Sequence, residues 1–193
     1  MELLKELSKT VEYLKKEFKV KDLEKTKLCL GLELEHKANR IIVHQSIYTK
    51  RVLKHFYMDK AYPLNTPMVV RSLEPHKDLF RPKEPNEEIL GSKVPYLNVI
   101  GALTYLAQCI RSNIAFAVNL LTRFSSELTR KHWNGIKHIF RYLQGTIDFG
   151  LFYSNETTSS GLVGYTNARY KSNPHKARSQ IGYLFYYNGT LIF

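Results

Sequence analysis

The sequence is poor in cysteine, with only Cys29 and Cys109 among 193 residues. Both lie inside apolar runs, where a small buried thiol is the ordinary role of cysteine. So few cysteines, so far apart, exclude the disulfide framework of small secreted domains. We therefore expect two buried free thiols and no disulfide between them.

Long hydrophobic runs are missing as well. The first residues, MELLKELSK, mix acids and bases at helical spacing and lack the apolar core of a signal peptide or a membrane span. The sequence therefore predicts an intracellular protein, in the cytoplasm or the nucleus, with no membrane partner.

Acidic residues are scarce, and aspartate most of all. There are 17 acidic residues against 29 Lys and Arg, which gives a formal net charge of +12. The four aspartates are Asp22, Asp59, Asp78 and Asp148, and no two are neighbours. Because two-metal phosphoryl transfer needs clustered carboxylates, this pattern disfavours such a site. The positive charge favours a polyanionic partner, with nucleic acid as the leading candidate.

Other catalytic signatures are also absent. The sequence has no glycine-rich phosphate loop, no nucleophile elbow, no HExxH motif and no Cys or His pairs at zinc spacing. His132 and His138 are six residues apart on a predicted helix and point in different directions. An unrelated enzyme activity is therefore not supported.

The first segment has the pattern of an amphipathic helix. Its apolar residues recur at three- and four-residue spacing, with charges between them; they are Leu4, Leu7, Val11, Leu14 and Phe18. A coiled coil is the alternative, although little more than two heptads are available.

Residues 28–35 alternate between apolar and polar positions, which predicts one strand. Leu30, Leu32 and Leu34 then share one face, while Gly31, Glu33 and Glu35 share the other. A polar turn and the run 41–43 complete a β-hairpin. Glu33 and Glu35 lie about 7 Å apart at strand rise and are the nearest substitute for a metal site, but solvated or strand-paired carboxylates are the expected interpretation.

Two predicted helices carry basic stripes. In the first, Ser46 caps a helix through Phe56, and Lys50, Arg51 and Lys54 form a phosphate-facing surface. An ordinary solvated helix face is an equally weighted alternative. The second helix runs over residues 129–143 and is ended by Gly145. Its side opposite the apolar face carries three basic residues, Arg130, Lys137 and Arg141.

The remaining elements divide the chain. Six of the seven prolines lie between Tyr62 and Pro95, so an extended loop should separate two structured halves. Helices are predicted over 96–109 and around Ile114 to Phe124. The segments 149–153, 162–165, 181–187 and 191–193 follow as the opening strands of a mixed sheet, with Asn188-Gly189 as a hairpin turn.

Several landmarks together carry a family resemblance. They are LCLGLELEH from Leu28, NTPM from Asn65, Tyr96 with IGAL and YL, AFAVN from Ala115, the run from His132-Trp133 to Gly150-Leu151, and Gly164-Tyr165. The chain resembles the C-terminal part of the reverse transcriptase of copia-type retrotransposon Pol polyproteins, running into the start of RNase H.

The resemblance implies an α+β fold with thumb/connection-like helices and a β-hairpin, followed by the incomplete opening sheet of an RNase H-like domain. It divides the chain into a palm-end and thumb remnant at 1–68, a Pro-rich loop at 69–95, a helical connection at 96–148 and the RNase H-like start at 149–193.

The resemblance also implies what is missing. In the family, adjacent aspartates of the polymerase triad lie upstream of this region, and intact members use Mg²⁺. Asn167 aligns with the first RNase H aspartate, and Ser112-Asn113 replaces a usual Pro-Asp after arginine. We expect no bound cofactor and a truncated, inactive remnant that binds RNA or DNA backbones non-specifically through the two basic stripes.

Two alternatives stay open. The chain could be a non-catalytic interaction protein that associates with itself or another chain through the leucine-rich first helix or uncovered sheet edges. It could also be the unselected product of a pseudogene.

Overall fold

The computed structural model describes residues 2–19, 25–72, 74–91, 94–154, 161–173, 175–176, 178–187 and 189–192. Within these ranges the helices are α1 (Glu2–Glu17), α2 (Ser46–His55), α3 (Tyr96–Cys109), α4 (Ser112–Thr122) and α5 (Arg130–Gly145). The strands are β1 (Leu28–Cys29), β2 (Leu32–Lys37), β3 (Arg40–His44), β4 (Gly150–Ser154), β5 (Leu162–Asn173), β6 (Arg178–Tyr187) and β7 (Thr190–Leu191).

The expected α+β class is confirmed. The described strands form two sheets, with orders β1-β2-β3-β4 and β5-β6-β7. Every described pairing is antiparallel, and the prediction that the later strands open a mixed sheet stays a prediction. The predicted hairpin turn before β7 is confirmed by the register, because Tyr187 pairs with Thr190; Asn188 itself lies outside the described residues.

Strand β4 joins the N-terminal sheet. The sequence groups it with the later strands, but Ile42 of β3 pairs with Phe152 of β4. The Thr190 hydroxyl of β7 also donates to the Phe152 carbonyl at 2.6 Å. β4 therefore links residues that are more than a hundred positions apart in the chain.

The predicted strand over residues 28–35 is two strands. Leu30 and Gly31 both have positive φ, 50° and 77°, and Cys29 pairs with Leu32 across them. A two-residue turn of this hand matches the twist of a hairpin. Leu30 is consequently 87% exposed, instead of sharing a buried face with Leu32. The Tyr105 hydroxyl donates to the Leu30 carbonyl at 2.6 Å and anchors the turn.

The hydrophobic core lies among α2, α3, α4 and α5. Of the residues of α5 predicted to face inward, Ile136, Phe140 and Leu143 are almost without exposure, and Trp133 is partly buried against the core. The loop between the predicted halves contributes to this core, because Phe80 is 2% exposed. A Cβ on Gly135 would lie 2.6 Å from the Phe80 ring, so glycine lets α5 and the loop approach.

The start of α2 differs from its prediction, whereas the end of α5 agrees with it. Ser46 is the first residue of α2, preceded by Gln45 at the cap position, and the Ser46 hydroxyl donates to the Ile147 carbonyl at 3.2 Å. Gly145 is the last residue of α5, as predicted, and Thr146 follows as the cap. Its small size matters because a Cβ there would meet Pro63 at 3.0 Å.

The cysteines and α1 are more exposed than expected. Both thiols are free, but Cys29 is exposed and Cys109 is partly buried. The predicted helix α1 is confirmed, yet Leu7 and Phe18 are each 62% exposed. No helix in the described part of the chain combines the length and apolarity needed to cross a membrane.

Candidate nucleic-acid interface

Helix α2 presents a basic face to solvent. Val52 and Leu53 are buried in the core, whereas Lys50, Arg51 and Lys54 are exposed. This division follows from the helical period, which places apolar residues on one side. The helix contains no Asp or Glu, so its exposed face carries positive charge only.

The N-terminus of α2 is tied to the sheet. The Ile47 amide in its first turn donates to Oε1 of Glu33 at 2.7 Å. A carboxylate at this position satisfies a free backbone donor and interacts favourably with the helix dipole. Glu33 therefore positions α2 relative to β2.

Helix α2 also packs on α5. The Phe56 and Phe140 rings stack with their centroids 5.5 Å apart. The two helices that carry the predicted basic stripes are consequently neighbours in the fold.

The predicted stripe of α5 is divided in the structure. Arg130 and Lys137 are exposed, but Arg141 is half-buried. Nε of Arg141 donates to the Tyr62 carbonyl at 2.8 Å, and its guanidinium lies 5.9 Å from the Tyr62 ring centroid. Arg141 thus holds the loop against α5 and is less available to a ligand than Arg130 or Lys137.

Glu33 and Glu35 lie on one side of β2, as predicted, and meet His44 of β3. Oε1 of Glu33 is 3.7 Å from Nδ1 of His44, and Oε1 of Glu35 is 3.3 Å from Nε2. The hydrogen bond from Lys37 lowers the pKa of Glu35. Within the described ranges, no group of three or more His, Cys, Asp or Glu side chains is arranged to hold a metal ion.

The aspartates and Asn167 are separated. Asn167 is exposed on β5 opposite Gly182 of β6. Asp59 and Asp148 are exposed, Asp78 is fully buried, and Asp22 lies outside the described residues.

Sequence reasoning missed a buried ion network around Asp78. Its carboxylate accepts hydrogen bonds from Arg71 and from Nε2 of His175, the latter at 3.1 Å. Arg71 and His175 are 104 residues apart, so no local pattern relates them. His132 and His138 are separate from this network and bind different carbonyls, those of Arg81 and Thr66.

Comparison with known proteins identifies the class. The family described as "Reverse transcriptase (RNA-dependent DNA polymerase)" matches residues 2–70. The chain is 34% identical over 181 residues to a retrovirus-related Pol polyprotein from transposon TNT 1-94 of Nicotiana tabacum, covering 93% of this chain and 13% of that protein. It is 32% identical over 184 residues to the Pol polyprotein from transposon RE2 of Arabidopsis thaliana, covering 93% and 12%.

These matches define a reverse-transcriptase-related protein. The chain belongs to the family of retrovirus-related Pol polyproteins of copia-type transposons. It spans about one eighth of the two polyproteins, by the 13% and 12% coverage of their lengths.

A further relative is named as a secreted effector and not as a Pol polyprotein. The secreted RxLR effector protein 161 of Plasmopara viticola is 41% identical over 99 residues, which are 51% of this chain and 69% of that protein. No solved structure gives a significant match to this chain.

Proposed function

We propose that this chain binds nucleic acid through the phosphate backbone and catalyses neither polymerisation nor RNA hydrolysis by itself. The observation that carries the binding proposal is the exposed, acid-free face of α2 with Lys50, Arg51 and Lys54. The net charge of +12 supports it, because positive charge attracts polyanions over long distances.

Recognition of this kind is independent of sequence, since lysine and arginine side chains on phosphates carry no information about base identity. Each neutralised phosphate releases counterions, so affinity should fall steeply with salt. Arg130 and Lys137 of the neighbouring helix α5 can extend the surface, whereas Arg141 has a structural role with Tyr62.

The proposal of no catalysis rests on the carboxylates. A metal pair needs adjacent negative charge, and the neutral amide of Asn167 cannot supply it. The buried carboxylate of Asp78 already binds Arg71 and His175. Glu33 and Glu35, the closest acidic pair considered, bind His44 and the start of α2.

The division of the chain into four segments of the polyprotein is also a proposal. The match to residues 2–70 supports 1–68 as a palm-end and thumb segment. We assign 69–95 to a loop, 96–148 to the helical connection and 149–193 to an RNase H-like start. The order of α3, α4 and α5 before the sheet β5-β6-β7 is compatible with this assignment, whereas β4 of the range 149–193 pairs with β3 of the N-terminal sheet.

Fluorescence anisotropy with a labelled RNA–DNA hybrid and a duplex DNA of unrelated sequence tests the binding. We expect similar affinities for both at 50 mM KCl and a loss of about a hundredfold or more by 200 mM. An affinity that does not change with salt would contradict a phosphate-backbone mechanism. Primer extension with Mg²⁺ or Mn²⁺ tests the second part, and metal-dependent incorporation would refute it.

A second candidate is self-association through α1. Leu7 and Phe18 are largely exposed, and Leu14 is 41% exposed on the same apolar stripe. Sedimentation velocity of the protein and of Leu7→Lys/Leu14→Lys tests this candidate. It predicts concentration-dependent association that the double variant loses; a monomer at all concentrations would exclude it.

A further inference from the structure

A cavity of about 490 Å³ opens where three remote segments meet. Its walls come from three parts of the chain: residues 71, 80 and 82, the end of α4 with the residues after it, and residues 173, 175, 176 and 179 near the β5–β6 turn. The volume falls within the range of about 300–1,000 Å³ that is usual for small-molecule sites. Since no residue of α2 contributes to the walls, the cavity is separate from the basic face of α2.

The carboxylate of Asp78 binds two polar side chains of the cavity wall, Arg71 and His175. Nε of Arg71 donates to Oδ1 of Asp78 at 3.2 Å, Nη2 of Arg71 also donates to this carboxylate, and Nε2 of His175 lies 3.1 Å from Oδ2. The Phe80 amide donates to Oδ1 at 3.0 Å. Asp78 itself is fully buried and does not line the cavity. It therefore orders Arg71 and His175 without placing its carboxylate in the cavity.

The wall carries an excess of positive charge. Arg71, Arg123 and Lys176 line the cavity together with one carboxylate, that of Glu127. Because Asp78 offsets the charge of Arg71, the net excess at the wall is one positive charge. The exposed Ser126 adds a hydroxyl at the same wall. Guanidinium and ammonium groups around a concave site favour a phosphate, which accepts several charge-assisted hydrogen bonds.

The same cavity has an aromatic wall. Phe124 is partly exposed in this wall, and its ring is stacked on the buried His132 ring with centroids 4.0 Å apart. Phe80 also lines the cavity but is only 2% exposed, because most of its ring packs in the core. Fixed aromatic side chains favour planar bases, which are sequence-tolerant stacking partners. We propose that the cavity binds the phosphate group of a nucleotide, with the base against the ring of Phe124.

Isothermal titration of the full chain with adenosine monophosphate tests the site. We expect Lys176→Glu to weaken this binding about tenfold or more, because it replaces a charge-assisted contact by repulsion. Lys60→Glu, the same charge change at an exposed residue outside the cavity, should leave the affinity unchanged. Inorganic phosphate should compete, and adenosine should bind more weakly than its monophosphate.

Unchanged affinity in Lys176→Glu, or adenosine binding as tightly as the monophosphate, would overturn the proposal. Because Lys176 is exposed in a turn, its substitution should leave the fold intact. Unfolding curves of Lys176→Glu and Lys60→Glu check this. Arg123→Gln gives a second test at the wall formed by the end of α4. This variant should also bind adenosine monophosphate about tenfold or more weakly, and unchanged affinity would contradict the proposal.

The phosphate could belong to a free nucleotide or to a strand end, and two oligonucleotides distinguish these sources. A 5′-phosphorylated strand that binds more tightly than its 5′-hydroxyl twin, with the gain lost in Lys176→Glu, assigns the site to strand ends. Equal binding of the two strands with retained monophosphate binding assigns it to free nucleotides. No binding by either the monophosphate or the terminal phosphate would refute the site. Removal of the α2 lysines should leave monophosphate binding intact, so this proposal and the nucleic-acid proposal can fail separately.

Discussion

Nε of Arg111 donates to Oδ1 of Asn113 at 3.3 Å, so a neutral amide faces a guanidinium that is 3% exposed. The other donors of Arg111 reach the Thr146 carbonyl and hydroxyl, and the charge lies 5.7 Å and 5.5 Å from the Tyr142 and Phe149 ring centroids. Within the described ranges no carboxylate pairs with it. Burial accordingly lowers the pKa of Arg111.

Asn113→Asp should stabilise the protein. The new carboxylate can accept from Nε of Arg111 and also from the Tyr142 hydroxyl, to which the Asn113 amide now donates. A charge-assisted bond to a buried guanidinium is stronger than a neutral one, and because Asn113 is itself exposed we expect a gain of only about 1 kcal/mol. Urea unfolding at pH 7 measures it. Asn113→Ala is the control and should destabilise; an aspartate variant no more stable than the original would show that the guanidinium is already satisfied.

Asp78→Asn should destabilise the protein strongly. Burial raises the pKa of Asp78, but the hydrogen bonds from Arg71 and the Phe80 amide lower it more, so the pKa lies below 3.8. The carboxylate therefore contributes stability that is present above about pH 4 and is lost at lower pH. Asparagine keeps one acceptor oxygen but removes the negative charge, so the largely buried guanidinium of Arg71 loses its counter-charge, which costs about 3–5 kcal/mol. Urea unfolding measures the stability of Asp78→Asn beside that of Asp59→Asn, which makes the same change at an exposed site. Equal stability of the two variants would contradict a stabilising role of the Asp78 network.

Acidification should weaken the fold through His132. This ring is buried, with Nε2 3.0 Å from the Arg81 carbonyl and Nδ1 accepting from the Thr129 amide. Burial lowers its pKa from 6.5, so the folded protein resists protonation and the unfolded chain does not. The free energy of unfolding should therefore be fully present above about pH 6.5 and fall below it. His132→Gln should flatten this dependence and exposed His55→Gln should not; an identical pH slope in both variants would disprove the role of His132.

The sequence was a good guide to local structure. The period of apolar residues predicted α3 at its observed bounds and the buried face of α5, including Ile136 and Phe140. It also placed Lys50, Arg51 and Lys54 on the outer side of α2. These features depend on residues within a few turns of one another, so one segment contains the whole signal.

The sequence-based predictions failed in two situations. Either the local pattern allowed a second structure, or the structure depended on residues far away in the chain. Leu30 fits strand alternation, but a two-residue turn with positive φ at Leu30 and Gly31 breaks it. The pairing of β4 with β3 and the joining of Arg71 to His175 through Asp78 connect segments more than a hundred residues apart. The cavity lined by the loop, α4 and the β5–β6 turn depends on the same long-range packing, so no motif could reveal it.

The salt dependence of duplex DNA binding tests the central claim most directly. Lys50→Gln/Lys54→Gln removes two exposed charges from α2, while Lys9→Gln/Lys16→Gln removes two exposed charges from α1 as a matched control. If α2 contacts phosphates, the first variant should bind more weakly, and its slope of log affinity against log salt should be smaller by about 1.8. The control should keep the original slope. Equal affinity and equal slope in the original protein and the α2 variant would show that this helix does not contact nucleic acid.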